Sequence, residues 1–408
     1  MKSGFAHKAL LPRVSDAPPP RLIIRRMPRV TVLGAGLVGS LIARTLADDG
    51  RFEVLVCDRS EDALGSFAGR PRVATQRLDF ASGAAVAAAV ASADVAVGAV
   101  PGSLGHAMLR TVIDAGKPVA DISFAPEDPF ALDALAKERG VPAIVDCGVS
   151  PGLSNLACGR AAGRLEAVDS IVISVGGLPF RRVPPWEYRI VFSATDVIEE
   201  YTRPARLVED GRVVTKPALS EVTRFDLPGV GTLEAFLTDG LRTVLSTVKA
   251  RNLREQTLRW PGHAEKMRLL RDTGFLRDEP VAAGGTRVAP RAVAEALLFA
   301  LWKRPEGEEE FTVLNVESHG TRAGRPVRFV HDLFDRTDVK TGATSMARTT
   351  GFPCVIAAQL LASRSIRDPG VLPLELLGGR PELFAAFVEG LAARGVAFSE
   401  TEEDPWPR

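Results

Sequence analysis

Short apolar runs alternate with amphipathic segments through the first third of the chain. Val30-Thr31-Val32-Leu33 precedes a periodic segment carrying Leu37, Val38, Leu41, Ile42 and Leu46, and a second run follows at Glu53-Val54-Leu55-Val56-Cys57. Short apolar runs bounded by turn residues read as buried strands, and apolar positions three and four apart read as helices. The rhythm continues with a strand from Val73 to Asp79, a helix to about Ser92, and a strand from Val95 to Val100 closed by Pro101-Gly102. A helix around Ser103 to Ala115 leads to Pro118-Val119-Ala120-Asp121, and one from Phe130 to Arg139 leads to Ala143-Ile144-Val145-Asp146. This alternation predicts a six-strand, doubly wound parallel sheet of the Rossmann type.

Beyond Ser150-Pro151-Gly152 the pattern changes. Ile171 to Val175 reads as a strand ending in Gly176-Gly177, and Glu255 to Trp260 as another before Pro261. Arg206 to Glu209 and Arg212 to Val214 flank Asp210-Gly211, a strong hairpin signal. Phe311 to Glu317 and Val327 to Phe334 read as a long antiparallel pair. The fold class is therefore α/β: a Rossmann domain over 28–148 plus an α+β domain with a mostly antiparallel sheet over 149–348. A helix at Cys354 to Ala362 opens a C-terminal stretch, 349–408, expected to pack as helices back on the Rossmann domain. Residues 1–27 carry Asp16 as their only acid against six Lys or Arg, and Pro18-Pro19-Pro20 interrupts them. They read as a disordered extension ahead of Met27, with a transit peptide as the alternative.

Gly34-Ala35-Gly36-Leu37-Val38-Gly39 turns this topology into chemistry. It reads G-x-G-x-x-G between the first strand and the first helix, the context a dinucleotide site requires. Gly34 permits the tight turn, Gly36 lets the backbone approach a pyrophosphate, and Gly39 lets helix and strand pack. Leu37 and Val38 open the helix whose N-terminal N–H groups meet the phosphates. Asp58 ends the second strand, 19 residues past Gly39, where a carboxylate accepts from ribose hydroxyls. It favours NAD over NADP, because it repels a 2′-phosphate; Arg59, directly after it, could stack on adenine or meet that phosphate. Asp79 is a candidate adenine or ribose contact, and Val100, Pro101 and Ser103 should pass near the nicotinamide.

Composition narrows the partners. The 408 residues are 46% hydrophobic and 25% charged with a net charge of +1, which implies neither a nucleic-acid nor a membrane partner. The most apolar stretch, Ala84 to Val100, is alanine-rich and broken by Asp94, so it reads as helix running into strand. Cys57, Cys147, Cys158 and Cys354 form no C-x-x-C pair and the five histidines are scattered, so neither a metal site nor a disulfide framework is expected. A reducing, cytoplasmic setting fits.

Several ordered motifs resemble the saccharopine dehydrogenase family, and within it the lysine 6-dehydrogenase-like branch. They are Asp121-Ile122-Ser123-Phe124, Asp146 to Asn155, Val175-Gly176-Gly177-Leu178-Pro179, Glu199 to Arg206, Phe236 to Thr243, and Leu258-Arg259-Trp260-Pro261-Gly262-His263. One position departs: Trp260 stands where the family pattern has tyrosine. The resemblance, which spans about 29 to 365, implies an NAD(P) domain, a substrate and dimerisation domain, and a homo-oligomer, either dimer or tetramer. It also implies an amino-acid substrate, with NAD-dependent oxidation of the CH–NH2 group of lysine or a relative as the leading activity. A reductase joining an amine to an oxo acid, as saccharopine- or carboxynorspermidine-type enzymes do, is the enzymatic alternative; Arg203, Arg181 or Arg182 would then hold a second carboxylate. A non-catalytic nucleotide-binding protein on the same fold is the alternative of a different class.

Lysine oxidation needs a neutral amine, and the free side chain titrates near about 10.4, so a base or an alkaline medium is required. Arg242 is the candidate for the substrate carboxylate, since a guanidinium fork suits it. Asp239 precedes it in a turn-like Thr-Asp-Gly and serves equally as a helix cap. His263 is the side chain best suited to proton movement near neutrality, or else a buried structural histidine. Glu199, Glu200, Tyr201 and Arg203 form a polar cluster at a helix end, as substrate contacts or as a solvated terminus. Asp121 and Asp146 end strands at the presumed cleft, where either could hold the ammonium, orient water, or simply cap its strand.

Overall fold

A computed structural model describes residues 27–403; the N-terminal extension expected over 1–27 lies outside them except for Met27. Strands β1 (Arg29–Leu33), β2 (Glu53–Asp58), β3 (Val73–Arg77), β4 (Val95–Gly98), β5 (Val119–Asp121) and β6 (Pro142–Val145) are all parallel. Helices α1 (Leu37–Asp48), α2 (Glu61–Gly65), α3 (Gly83–Val90), α4 (Gly102–Asp114) and α5 (Asp133–Arg139) connect them. Central β4, Val-Ala-Val-Gly, is buried along its whole length, as a strand covered on both faces must be. Edge strand β3 is polar and exposed from Ala74 to Arg77, which blunts a sheet edge. The order β6-β5-β4-β1-β2-β3 reverses direction between β1 and β4. Ligands on such sheets bind beyond the carboxyl ends at that switch point.

The second sheet follows α6 (Leu153–Ala162). It contains β7 (Ala167–Pro179), then, after α7 (Ala194–Thr202), the hairpin β8 (Ala205–Glu209) and β9 (Arg212–Lys216). Asp210 and Gly211 both take positive φ, 46° and 76°, the mirror-image turn that matches strand twist. Next come β10 (Thr223–Leu227), β11 (Gly231–Leu237), α8 (Val244–Thr247), β12 (Asn252–Arg259) and α9 (His263–Asp272). A small hairpin of β13 (Val281–Ala283) and β14 (Thr286–Val288) precedes α10 (Pro290–Trp302), and β15 (Glu310–Arg322) and β16 (Arg325–Arg336) complete the region. The sheet runs β10-β11-β12-β7-β15-β16, antiparallel except where β12 lies parallel to β7.

The C-terminal stretch departs from the expectation of helices alone. Helix α11 (Ser345–Ala362) does lie on the Rossmann domain, where Gly351 faces Val38, Leu41 and Ile42 of α1. Thr344 starts it, its hydroxyl accepting from the Ala347 N–H at 3.2 Å. Then β17 (Gly370–Pro373) adds a seventh strand beside β6, where the sequence pattern predicted six. After α12 (Leu374–Gly378) and α13 (Pro381–Ala392), β18 (Phe398–Glu403) joins the second sheet beside β16. Both strands escape pattern reading: Gly-Val-Leu-Pro is too short to show a period, and Phe-Ser-Glu-Thr-Glu-Glu is too acidic to resemble one. The main core crosses the domain boundary without a break, from Val32 and Ile42 to Leu314 and Phe398. Among the described residues no helix is long and apolar enough to cross a membrane.

Candidate active site

A cavity of about 660 Å³ opens between the two sheets, beyond the carboxyl ends of β1 and β4. Its Rossmann wall begins at Gly34, whose φ is +112° and whose missing Cβ would sit 2.2 Å from the Ala99 carbonyl oxygen. A Cβ on Gly39 would fall 2.1 Å from the Gly34 carbonyl oxygen. The turn and α1 therefore touch backbone to backbone, and Gly36, Leu37 and Val38 are brought to the cavity wall. Gly36 leaves α1 without a side-chain cap and the first turn holds no acid, so the helix offers unpaired N–H groups to an anion.

Asp58 braces this turn. Its Oδ2 accepts from the Ala35 N–H at 2.6 Å and its Oδ1 from the Ser60 N–H at 2.8 Å. Each oxygen keeps a lone pair for a further donor such as a ribose hydroxyl. Arg59 lines the same rim, exposed, and Val100, Pro101 and Ser103 continue the wall. Asp79 does not. It stays on the surface, where Oδ1 accepts from the Ala81 N–H at 3.0 Å, and Phe80 takes its place in the wall. A turn closed to any Cβ at Gly34 and Gly39 with open space over Gly36, an uncapped helix start and a carboxylate at the second strand's end together fit a pyridine nucleotide.

The opposite wall is polar. Alternate side chains of a strand share a face, and β12 turns Glu255, Thr257 and Arg259 to the cavity. From α7 come Asp196, Glu199 and Glu200, about one helical face, and Arg203 follows from its C-terminal cap. Thr238 and Asp239 enter from the end of β11. Arg259 is held by Glu200 at 2.6 Å and Asp239 by Arg206 at 2.9 Å, while Glu199 meets Arg291 at 2.7 Å. Five carboxylates thus line this half (Asp196, Glu199, Glu200, Asp239 and Glu255) against the guanidiniums of Arg203 and Arg259. Burial raises the Asp196 and Glu200 carboxyls, opposed by the Ser193 hydrogen bond and the Arg259 charge respectively. Glu255 is pushed up to about 8 by burial, with the Thr238 hydroxyl opposing and the Glu200 and Asp239 charges adding to the rise.

Of the candidate residues, Asp239, Glu199, Glu200 and Arg203 reach the cavity, whereas Arg242, Asp121, His263 and Tyr201 lie behind its walls. Arg242 is not free to take a substrate carboxylate. Its guanidinium is 5% exposed, bonds Asp146 at 3.1 Å and donates to the Ala125 carbonyl, so it clamps the second domain to the end of β6. Asp121 is buried under Ser123, whose hydroxyl donates to it at 2.8 Å, and burial lifts it to about 7. His263 and Tyr201 pair with each other at 2.9 Å, His263 donating through Nδ1–H to the Trp186 carbonyl at 3.2 Å and so accepting at Nε2. Burial, then the Arg259 charge, lowers His263 to about 3, while burial pushes Tyr201 up to about 12. Neither side chain lines the cavity. Below its ordinary value near 6.5, an unfolded chain takes up a proton that folded His263 refuses, so stability is lost as pH falls. Thermal unfolding between pH 7 and pH 5 should therefore show a smaller loss for His263→Gln than for the parent protein; an equal loss would count against a neutral buried imidazole.

Trp260, the position departing from the family pattern, is also structural: its indole N–H donates to the Pro179 carbonyl at 3.0 Å and Arg182 stacks on its ring. The sequence reading missed Asp196, Thr238, Glu255, Thr257 and Arg259 as site residues. The period-two polar pattern of Glu255, Thr257 and Arg259 was the available signal. It was masked by Arg254 and Gln256, which make the other face of β12 polar as well.

The chain is similar to known proteins along most of its length. Residues 148–396 match the family model described as the saccharopine dehydrogenase C-terminal domain, and residues 30–144 the one described as the saccharopine dehydrogenase NADP binding domain. A saccharopine dehydrogenase [NADP(+), L-glutamate-forming] of Pyricularia oryzae is 26% identical over 61% of this chain and 58% of its own length. A carboxynorspermidine synthase of Vibrio cholerae is 23% identical over 66% of this chain and 65% of its own. The chain thus spans about three-fifths of the length of these two relatives. Apo saccharopine dehydrogenase (L-Glu forming) from Saccharomyces cerevisiae shares the fold, with a TM-score of 0.75 at 20% identity over 92% of this chain and all of the other.

Proposed function

The chain belongs to the saccharopine dehydrogenase family, and on that premise we propose that it is an NAD-linked oxidoreductase acting on the CH–NH2 group of lysine or a related cationic amino acid. Two acids of the substrate wall carry this reading: Asp196 and Glu255 reach the cavity with no ion-pair partner among the described residues, whereas Glu199, Glu200 and Asp239 are each held by an arginine. A wall with acidic groups not matched by cations favours ligands of positive charge. A substrate with a free ammonium suits it; a conjugate of an amine with an oxo acid brings added carboxylate and suits it less. Arg203 is the guanidinium available to the amino acid's own carboxylate: it is 21% exposed and only loosely paired, 3.7 Å from Glu199. The Phe124 ring lies against it, its centroid 5.3 Å from the Arg203 guanidinium and 5.2 Å from that of Arg242.

Gly34, Gly36, Gly39 and the start of α1 would hold the pyrophosphate, and Asp58 the adenosine ribose. Bound there, the nicotinamide accepts a hydride from the substrate carbon. The choice of NAD rests on Asp58, since a like charge beside a 2′-phosphate is costly, although the Pyricularia relative is named for NADP(+).

Calorimetric titration should find NAD at least about tenfold tighter than NADP, a difference of about 1.4 kcal/mol. Lysine, ornithine and 1,5-diaminopentane with NAD should then generate reduced nicotinamide. NADP binding more tightly would overturn the cofactor choice. Turnover only with an amino acid, an oxo acid and reduced cofactor would favour the conjugating reductase. Tight nucleotide binding with no turnover in either direction would favour the non-catalytic reading.

A further inference from the structure

Glu255 stands in the middle of a central strand, 4% exposed, with its carboxyl in the cavity wall. Apolar side chains ordinarily fill such positions, and a buried ionised carboxyl is costly unless a cation or several hydrogen bonds offset it. Among the described residues Glu255 has no ion-pair partner; what fixes it is a hydroxyl chain. The Thr238 hydroxyl donates to Oε2 at 2.5 Å, and that same hydroxyl lies 2.8 Å from the Thr257 hydroxyl. Gly240 lies flat against the group, where a Cβ would fall 2.7 Å from Oε2, and its N–H also approaches the carboxyl. The charges facing it are Glu200 from α7, Asp239 from the turn after β11, and, along its own strand, Arg259, already committed to Glu200. Parallel neighbour β7 brings only Val175, Gly176 and Gly177 to the cavity. The carboxyl is thus positioned, oriented and left without a cation, in a cavity that also holds the cofactor cradle.

We propose that Glu255 is the base that removes the proton from the substrate's ammonium before its carbon is oxidised. The proposal rests on the amine-oxidising reading above. The nitrogen–hydrogen bond breaks, the proton bonds to a Glu255 carboxylate oxygen, and the electron pair stays on nitrogen as its lone pair. Ammonium and carboxylate become neutral amine and carboxylic acid. An ammonium has no lone pair to support positive charge on the neighbouring carbon; the neutral amine has one. Transfer from a lysine ammonium to an ordinary carboxylate is uphill by roughly 10⁶. The rise of Glu255 to about 8 cuts this to roughly 10²–10³. It also means that the empty site holds a proton at pH 7 and surrenders it when a cation docks.

That proton is the test, and it needs no nucleotide. L-lysine and 1,5-diaminopentane are titrated into the nucleotide-free protein in two buffers of different ionisation enthalpy. The parent protein should release close to one proton per amine bound at pH 7 and almost none at pH 9.5, whereas Glu255→Gln should release none at either. With NAD added, Glu255→Gln should slow nicotinamide reduction by about 10²–10⁴ and lose the rise in rate centred near pH 8, while its NAD affinity stays unchanged and shows it to be folded. Equal proton release by both proteins, no amine binding, or a variant with the parent's rate and pH profile overturns the proposal. Proton release with no nicotinamide reduction from any amine would overturn the oxidative reading, and with it the role of base, and leave Glu255 as the group that gives up a proton when a cation docks.

Discussion

Arg242→Ala is expected to destabilise the protein by about 3–5 kcal/mol, the cost of stripping one partner from a buried ion pair. The pair is deep, with side chains of Arg242 and Asp146 only 5% and 1% exposed. Truncation leaves the Asp146 carboxylate buried without its guanidinium and frees the Ala125 carbonyl as well. The loss falls on the seam between the domains, because Asp146 closes β6 whereas Arg242 follows β11. Urea denaturation of the single variants and of Arg242→Ala/Asp146→Ala measures it, and the double variant should lose well under the sum of the two. A normal unfolding midpoint with a raised KM for the amino acid would instead return Arg242 to the role of carboxylate ligand.

Gly39→Ala is expected to weaken cofactor binding by at least about 10²-fold, the scale on which a displacement of roughly 1 Å costs a preorganised site. The new methyl would meet the Gly34 carbonyl oxygen at 2.1 Å, and that atom is backbone, so no rotamer change relieves the contact. Helix α1 has to slide outward, taking its unpaired N–H groups from where a pyrophosphate would sit. Alanine favours helix over glycine by about 1 kcal/mol, so α1 itself should persist. Calorimetry with NAD, alongside circular dichroism to show retained secondary structure, checks this. An affinity within about threefold of the parent's would mean that the glycine turn does not hold the phosphates.

The Rossmann wall was legible because its chemistry is local. Gly34, Gly39 and Asp58 act through backbone geometry and strand ends that lie within one βαβ unit, so spacing along the chain nearly fixes spacing in space. The second wall is assembled from β7, α7, the end of β11 and β12, whose mutual register depends on a sheet joining distant segments. Arg242 and His263 carry suitable functional groups, and both were placed by residue type. What holds them is Asp146 and the Ala125 carbonyl for Arg242 and the Trp186 carbonyl for His263, all far from them in sequence. Glu255 shows the converse: an ordinary residue type, made chemically unusual by burial and by the two carboxylates facing it, and held in place by Thr238 and Gly240. The two C-terminal strands were illegible for a further reason, since edge strands are stabilised by the sheet they join and not by a pattern of their own.

Those strands also constrain how the molecule comes into being. Because β17 completes the first sheet and β18 the second, neither domain can reach its final form while residues 370–403 are still being synthesised. A nascent Rossmann domain would wait with the edge of β6 open, and the second sheet with the edge of β16 open. Unpaired edges of this kind are where partly folded chains associate wrongly. The two domains are in this sense one folding unit closed by a common suture, and cutting the gene after residue 148 would leave the first sheet without β17 and β17 without a sheet to join.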